Sequence, residues 1–136
     1  FILFEGEGRE RLGALLAEAA SARGEDEESI KKCQEAPLRA PLVVAVATRY
    51  QRHPKVPKLE QELSAGCALM AMQMAAQAQG FNGIWRSGWF IFDELINKGL
   101  ALAPEDQLVG FLYLGTPMLE ARKLRELPPD EFVRHF

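Results

Sequence analysis

Two runs of this chain, Leu42 to Thr48 (LVVAVAT) and Gln107 to Gly115 (QLVGFLYLG), are apolar on both faces. A strand of that kind is stable only inside a sheet covered on each side, so the rest of the chain has to supply two covering layers. Pro41 delivers the chain into the first run, and Thr116-Pro117 stops the second. Phe1 to Phe4 and Asn82 to Trp85 predict two shorter strands. Helical spacing accounts for the remaining pattern. Gly8 to Ala22 places Leu12, Leu15, Leu16 and Ala19 on one face, with Gly24 where a glycine stops a helix. Asp26 to Ala36 offers only Ile30, Cys33 and Ala36 for burial and pairs Glu27 with Lys31 and Glu28 with Lys32 one turn apart, which predicts a solvated helix ended by Pro37. A long helix is predicted from about Leu59 to Gln79, and another from Phe90 to Leu100 with Asp93 near its start and Gly99 near its end. Strands and helices interleave around one sheet. The class is therefore α+β or α/β, and 136 residues suffice for a single domain, 1–136, with its own core.

The long helix has apolar residues nearly all round. Ala68, Ala71, Ala75 and Ala78 form a narrow stripe, Met70 and Met74 lie beside it, and Glu60 and Glu62 favour its positive N-terminal end. Such a helix is expected to be the hub of the core. Cys67 on it is expected to pack as a small buried hydrophobe. Cys33 lies on a separate helix and no C-x-x-C spacing occurs, so neither a disulfide framework nor a zinc site is expected, and a reducing, cytoplasmic setting is. A formal charge of −3 gives no footprint for nucleic acid. The longest apolar stretch, Ala65 to Ala78, is broken by Gln73 and Gln77 and is too short to cross a bilayer. The chain opens on Phe1, already inside a strand pattern, so an upstream segment is expected.

Hydrolytic and metal chemistry find little support. There is no G-x-S-x-G elbow, the two histidines are His53 in a loop and His135 in the tail, and no cluster has metal-ligand spacing. Gly6-Glu7-Gly8 lacks the third glycine of a phosphate-binding turn and is expected to be a plain strand-to-helix turn. The basic loop with Arg49, Arg52, His53, Lys55 and Lys58 is expected to be an exposed connection, the alternative being an anion-attracting rim. Arg122, Lys123 and Arg125 are weighed the same way, as solvation for the tail before phosphate neutralisation. The richest stretch is Gly80 to Gly88, GFNGIWRSG, which sets three glycines, an indole, a guanidinium and a hydroxyl within nine positions. Glycine lets a backbone approach a flat ligand, and Arg and Ser can donate to its oxygens. By residue type alone two outcomes are balanced: Trp85 packing on the sheet with Arg86 in a surface ion pair, or a backbone platform for a planar cofactor.

The ordered set LEQELSAGCALMAMQMAAQAQGFNGIWRSG and LVGFLYLGTP, together with KVPKLEQE and APLRAPLVVAVA, resembles the nitroreductase family, specifically its short bacterial members. The similarity runs from Phe1 to about Pro117, lapsing between Trp89 and Ala103 and again after Met118. The resemblance implies an α+β fold with a central, mainly antiparallel sheet flanked by helices, built as an intertwined homodimer with FMN at the interface. It implies an oxidoreductase that uses NAD(P)H to reduce nitroaromatic, quinone or similar small acceptors. Carried over residue by residue, Trp85, Arg86 and Ser87 inherit contact with FMN. Ala75, Ala76, Gln77, Ala78, Gln79 and Gly80 inherit contact with NAD(P)H. No acid–base catalytic residue is implied, because the hydride chemistry belongs to the flavin. The family's N-terminal Arg-Arg-Ser type motif for the flavin phosphate has no counterpart here, so these residues are expected to form part of the cofactor site only. A flavin-binding sensor or carrier without turnover is the alternative on the same fold.

Overall fold

The computed structural model describes residues 1–119, 123 and 125–136. The two doubly apolar runs become the centre of one four-stranded sheet. Its strands are β1 (Ile2–Phe4), β2 (Leu42–Thr48), β3 (Asn82–Arg86) and β4 (Gln107–Gly115), in the order β1-β2-β4-β3 with all neighbours antiparallel. Ala45 sits opposite Phe111 and Val43 opposite Tyr113, with one irregularity between Val46 and Ala47. The antiparallel pairing settles the class as α+β.

Because strand side chains alternate between faces, β2 and β4 feed two separate cores. On one face Val43, Ala45, Phe111 and Tyr113 pack with Leu12, Leu16 and Ala19 of α1 (Glu7–Ala22) and with Ile96 of the short helix Glu94–Gly99. On the other face Val44, Val46 and Leu112 pack with Leu69 of a long helix. The intervening helix α2 (Glu27–Glu35) covers α1 and buries none of its own residues, as its charge pattern predicts. The Ser29 N–H donates to the Asp26 carboxylate at 2.7 Å, capping α2 and holding that carboxyl below its usual pKa. Of the two expected ion pairs, Glu28–Lys32 forms at 2.6 Å, whereas Lys31 turns to Glu35 at 3.9 Å. Gly24 has φ +77, the left-handed conformation expected of the residue that ends α1.

Three expectations are corrected. The long helix α3 (Lys58–Ala78) is no hub: Leu69 is its one buried residue, and Leu59, Leu63, Met70 and Met74 are exposed. It covers the sheet with one side, and its other side is left open among the described residues. Cys67 shares that outer side and is exposed rather than buried. The predicted Phe90–Leu100 helix is two pieces, a 3-10 turn at Trp89–Phe92 and α4 (Glu94–Gly99). Asp93 divides them, its extended backbone breaking the helix while its carboxylate accepts from the N–H groups of Leu95 and Ile96. Arg122 lies outside the described residues. No helix among the described residues is long and apolar enough to cross a membrane.

The α1–α2 layer rests on a close approach at Gly13, where a Cβ would run into the Gln34 carbonyl. Gly13→Ala is expected to destabilise the fold by about 1–3 kcal/mol. A urea midpoint equal to that of the parent protein would show that the two helices do not meet there.

Candidate functional site

Strand β3 is the edge of the sheet. Its inner edge is bonded to β4, from Asn82 opposite Gly115 to Arg86 opposite Phe111, and its outer edge pairs with no strand among the described residues. Beyond that ladder, the one main-chain hydrogen bond in Ile84–Gly88 among the described residues is Ile91 N–H to the Gly88 carbonyl, at 3.3 Å. Gly88 takes φ 159 and ψ −154, a conformation that essentially only glycine adopts, and there the chain turns from β3 into the 3-10 turn. The N–H groups of Ser87 and Gly88 meet no protein acceptor among the described residues.

Alternation along β3 sends its side chains to opposite faces. Trp85 lies on the α3 side. Its indole touches Gly66 across α3, at 3.5 Å from where a Cβ would stand, and crosses Gly110 of β4, where a Cβ would run into Nε1 and come within 2.8 Å of Cδ1. Trp85 is therefore a packing residue in its side chain, seated between two glycines that leave room for it. Ile84 and Arg86 lie on the other face, where no helix covers them. Arg86 is exposed and makes no ion pair among the described residues. The three candidate flavin contacts thus do not converge through their side chains: Trp85 points one way, Arg86 the other, and Ser87 stands exposed beyond the strand. What they share is main chain.

Two clefts flank the strand. On the Arg86 face a cleft of about 530 Å³ is lined by Ile84, Arg86, Asn82, Tyr113, Arg39 and Met118, among others. On the Trp85 face an apolar cleft of about 490 Å³ runs between α3 and the 3-10 turn, past Leu63, Cys67, Met70 and Phe92. Both volumes fall in the range of small-molecule sites. Burial pushes the Tyr113 phenol above its ordinary pKa, and the Arg86 and Arg39 guanidiniums oppose that shift. The phenol therefore stays protonated and available as a donor. Neither Arg39 nor Tyr113 is singled out by sequence pattern; a glycine inside an apolar strand, Gly110, is the one local sign of a close approach.

The candidate nicotinamide stretch ends α3. Ala75, Gln77, Ala78, Gln79 and Gly80 are exposed, and Ala76 lines a cavity of about 200 Å³ with Phe81, Leu42 and Leu114. That cavity and the Arg86 cleft share Pro41, Gly115 and Thr116 at the end of β4, and of the two candidate sets Ala76 lines the one and Arg86 the other. The basic loop after β2 is exposed, as expected. Gln61 of α3 fastens it, accepting from Gln51 N–H at 2.9 Å and donating to the Gln51 carbonyl at 2.8 Å. Among the described residues no group of three or more His, Cys, Asp or Glu could hold a metal ion.

A sequence profile of the nitroreductase family matches residues 1–116. The chain belongs to the nitroreductase family. Its similarity to that family's bacterial members extends over its whole length: it is 50% identical to the Escherichia coli (strain K12) protein YdjA, provisionally named an NAD(P)H nitroreductase, across 100% of this chain and 75% of that one. Among solved structures, the fold matches a nitroreductase-like family protein from Bacillus cereus with a TM-score of 0.80 at 21% identity, over 99% of this chain and 71% of that one. It also matches an NADPH:FMN oxidoreductase from Vibrio harveyi complexed with NAD+, with a TM-score of 0.68 at 18% identity, over 98% of this chain and 57% of that one. As a member of the nitroreductase family the chain is an oxidoreductase.

The Trp85 seat makes a direct expectation. Gly110→Ala should displace the indole and loosen β3, shifting tryptophan emission and lowering stability by about 1–3 kcal/mol. Unchanged emission and stability would mean that the indole does not cross β4 at that point.

Proposed function

We propose that this chain binds FMN and uses NAD(P)H to reduce nitroaromatic, quinone or similar small acceptors, working as a homodimer with the cofactor between two copies. The observation that carries this reading is the open edge of β3, whose Ser87 and Gly88 amides face no protein acceptor among the described residues and which borders a cleft of about 530 Å³. The residues present fit a flat, anionic, oxygen-rich cofactor: open N–H donors, a guanidinium on the neighbouring face, and an apolar wall from Ile84. Bound there, FMN would supply two-electron chemistry between NAD(P)H and the acceptor, a nitroarene that gains two electrons and two protons becoming a nitroso compound and water.

The chain's own part is placement. Main chain from Ile84 to Gly88 forms the shelf, held by the Trp85 indole from beneath. The Ser87 and Gly88 N–H groups would donate to ring heteroatoms, where hydrogen bonds tune the ring, and Arg86 would donate to a ring or phosphate oxygen. Ala75 to Gly80 would take the nicotinamide nucleotide, small side chains letting a second flat ring come close, with Ala76 lining the cavity of about 200 Å³. The uncovered side of α3, with Leu59, Leu63, Met70 and Met74 exposed, is the surface a second copy would bury. Two free cysteines suit a reducing compartment, and we place the protein in the cytoplasm.

The purified protein supplied with FMN is expected to be yellow, to bleach anaerobically with NADPH and to recover its colour with a nitroarene. Arg86→Ala is expected to raise the Kd for FMN about tenfold, the cost of one charge-assisted hydrogen bond. Absence of any flavin absorbance after incubation with FMN would overturn the reading. Bound FMN without NAD(P)H oxidation above that of free flavin would assign the chain to a sensor or carrier role.

A further inference from the structure

The Arg86 cleft contains a feature that a flavin shelf does not require. Arg39 closes the short 3-10 turn Ala36–Arg39, forty-seven positions before Arg86, and the fold brings both guanidiniums to one cleft. Their setting is built rather than incidental. Pro37 and Ala40 on either side of Arg39 are buried, and Arg9 of α1 donates to the Ala40 carbonyl at 2.9 Å, fixing the backbone from which Arg39 projects. Tyr113 lines the same cleft, and both guanidiniums act on its phenol. Neither arginine forms an ion pair among the described residues, although the surface elsewhere pairs Arg11 with Glu7, Lys31 with Glu35, Lys32 with Glu28 and Lys58 with Glu62. No acidic side chain lines the cleft among the described residues. In a chain of net charge −3 this is a local positive site that no acidic side chain among the described residues neutralises.

We propose that Arg39, with Tyr113 and beside the Arg86 that serves the flavin, forms an oxyanion subsite that makes this enzyme prefer acceptors carrying a carboxylate on an aromatic ring. The guanidinium fork matches a carboxylate in two parallel hydrogen bonds. Met118 offers apolar surface for the ring at the side of the cleft away from the flavin's wall at Ile84. Phosphate shares the oxyanion chemistry, and its source here would be the cofactor itself. Pro41 packs against Gly115 opposite Asn82, so Arg39 reaches the cleft from the Asn82 end of β3, and FMN affinity read beside the acceptor ratio separates the two sources. The proposal rests on the flavin reading for the reaction, though not for the binding.

The test uses the FMN-loaded protein with NADPH as donor and two acceptors of equal shape, 4-nitrobenzoate and the uncharged 4-nitrobenzamide. The ratio of their kcat/KM values is expected to favour the benzoate, to fall about tenfold in Arg39→Gln, and to be partly kept in Arg39→Lys, which retains charge but not the fork. Lys98→Gln, which removes an exposed cation outside the cleft, should leave the ratio as it is. Calorimetry with benzoate and benzamide reads the same preference without turnover. Benzoate affinity should drop in Arg39→Gln and at raised salt, and benzamide affinity should not depend on salt. An unchanged acceptor ratio and unchanged benzoate affinity in Arg39→Gln would overturn the proposal. So would a weakened FMN affinity with the ratio intact, since Arg39 would then serve the cofactor phosphate. If NADPH is not oxidised with either acceptor, the flavin reading fails, and benzoate calorimetry still decides the subsite.

Discussion

The seat of the Trp85 indole between Gly66 and Gly110 governs everything at the edge of this sheet. A five-residue edge strand with one bonded side is weakly held by its ladder alone. Here a large side chain reaches from β3 across β4 and up to α3, and it does so because neither position beneath it carries a Cβ. The contact ties β3 to both the central sheet and the long helix. With the strand anchored from one face, its other face and its outer edge are left to meet a ligand. Rigid support from behind and open main chain in front is the arrangement that a site for a flat cofactor needs.

That division of labour also explains which side chains the site carries. Cofactor enzymes place the reactive chemistry in the bound group and ask the protein for position, donors and exclusion of water. The side chains around the cleft follow suit: two guanidiniums that are always charged, a phenol held protonated by burial, and apolar surface. No acid–base pair with opposed shifts is required of such a site.

Much of this fold was legible in the order of residues. Strands β2 and β4 match their expected bounds because a run apolar on both faces has one stable home. Asp26 and Gly24 mark their helix ends for local reasons that packing did not override. Burial of α3 was not legible, because an all-round apolar helix looks the same whether its second neighbour lies in the chain or in another copy; Met70, Met74 and Cys67 were misplaced for that reason. The break at Asp93 was missed because a helix cap in mid-pattern can resemble an acidic first turn. Trp85 and Arg86 show a different limit. Their adjacency suggested a shared site, whereas strand geometry sends neighbours to opposite faces. Arg39 was beyond reach, since only the folded sheet brings a residue of the Ala36–Arg39 turn to a strand forty-seven positions later.

The most direct measurement of the account is an amide-resolved titration of the 15N-labelled protein with FMN, followed by hydrogen exchange of the loaded form. The Ser87 and Gly88 amides should shift on binding and exchange markedly more slowly once FMN is present, while the Trp85 indole N–H, already packed over β4, should change little. Saturation with FMN that leaves Ser87 and Gly88 unshifted and fast to exchange would contradict the claim that the exposed edge of β3 is where the ring rests.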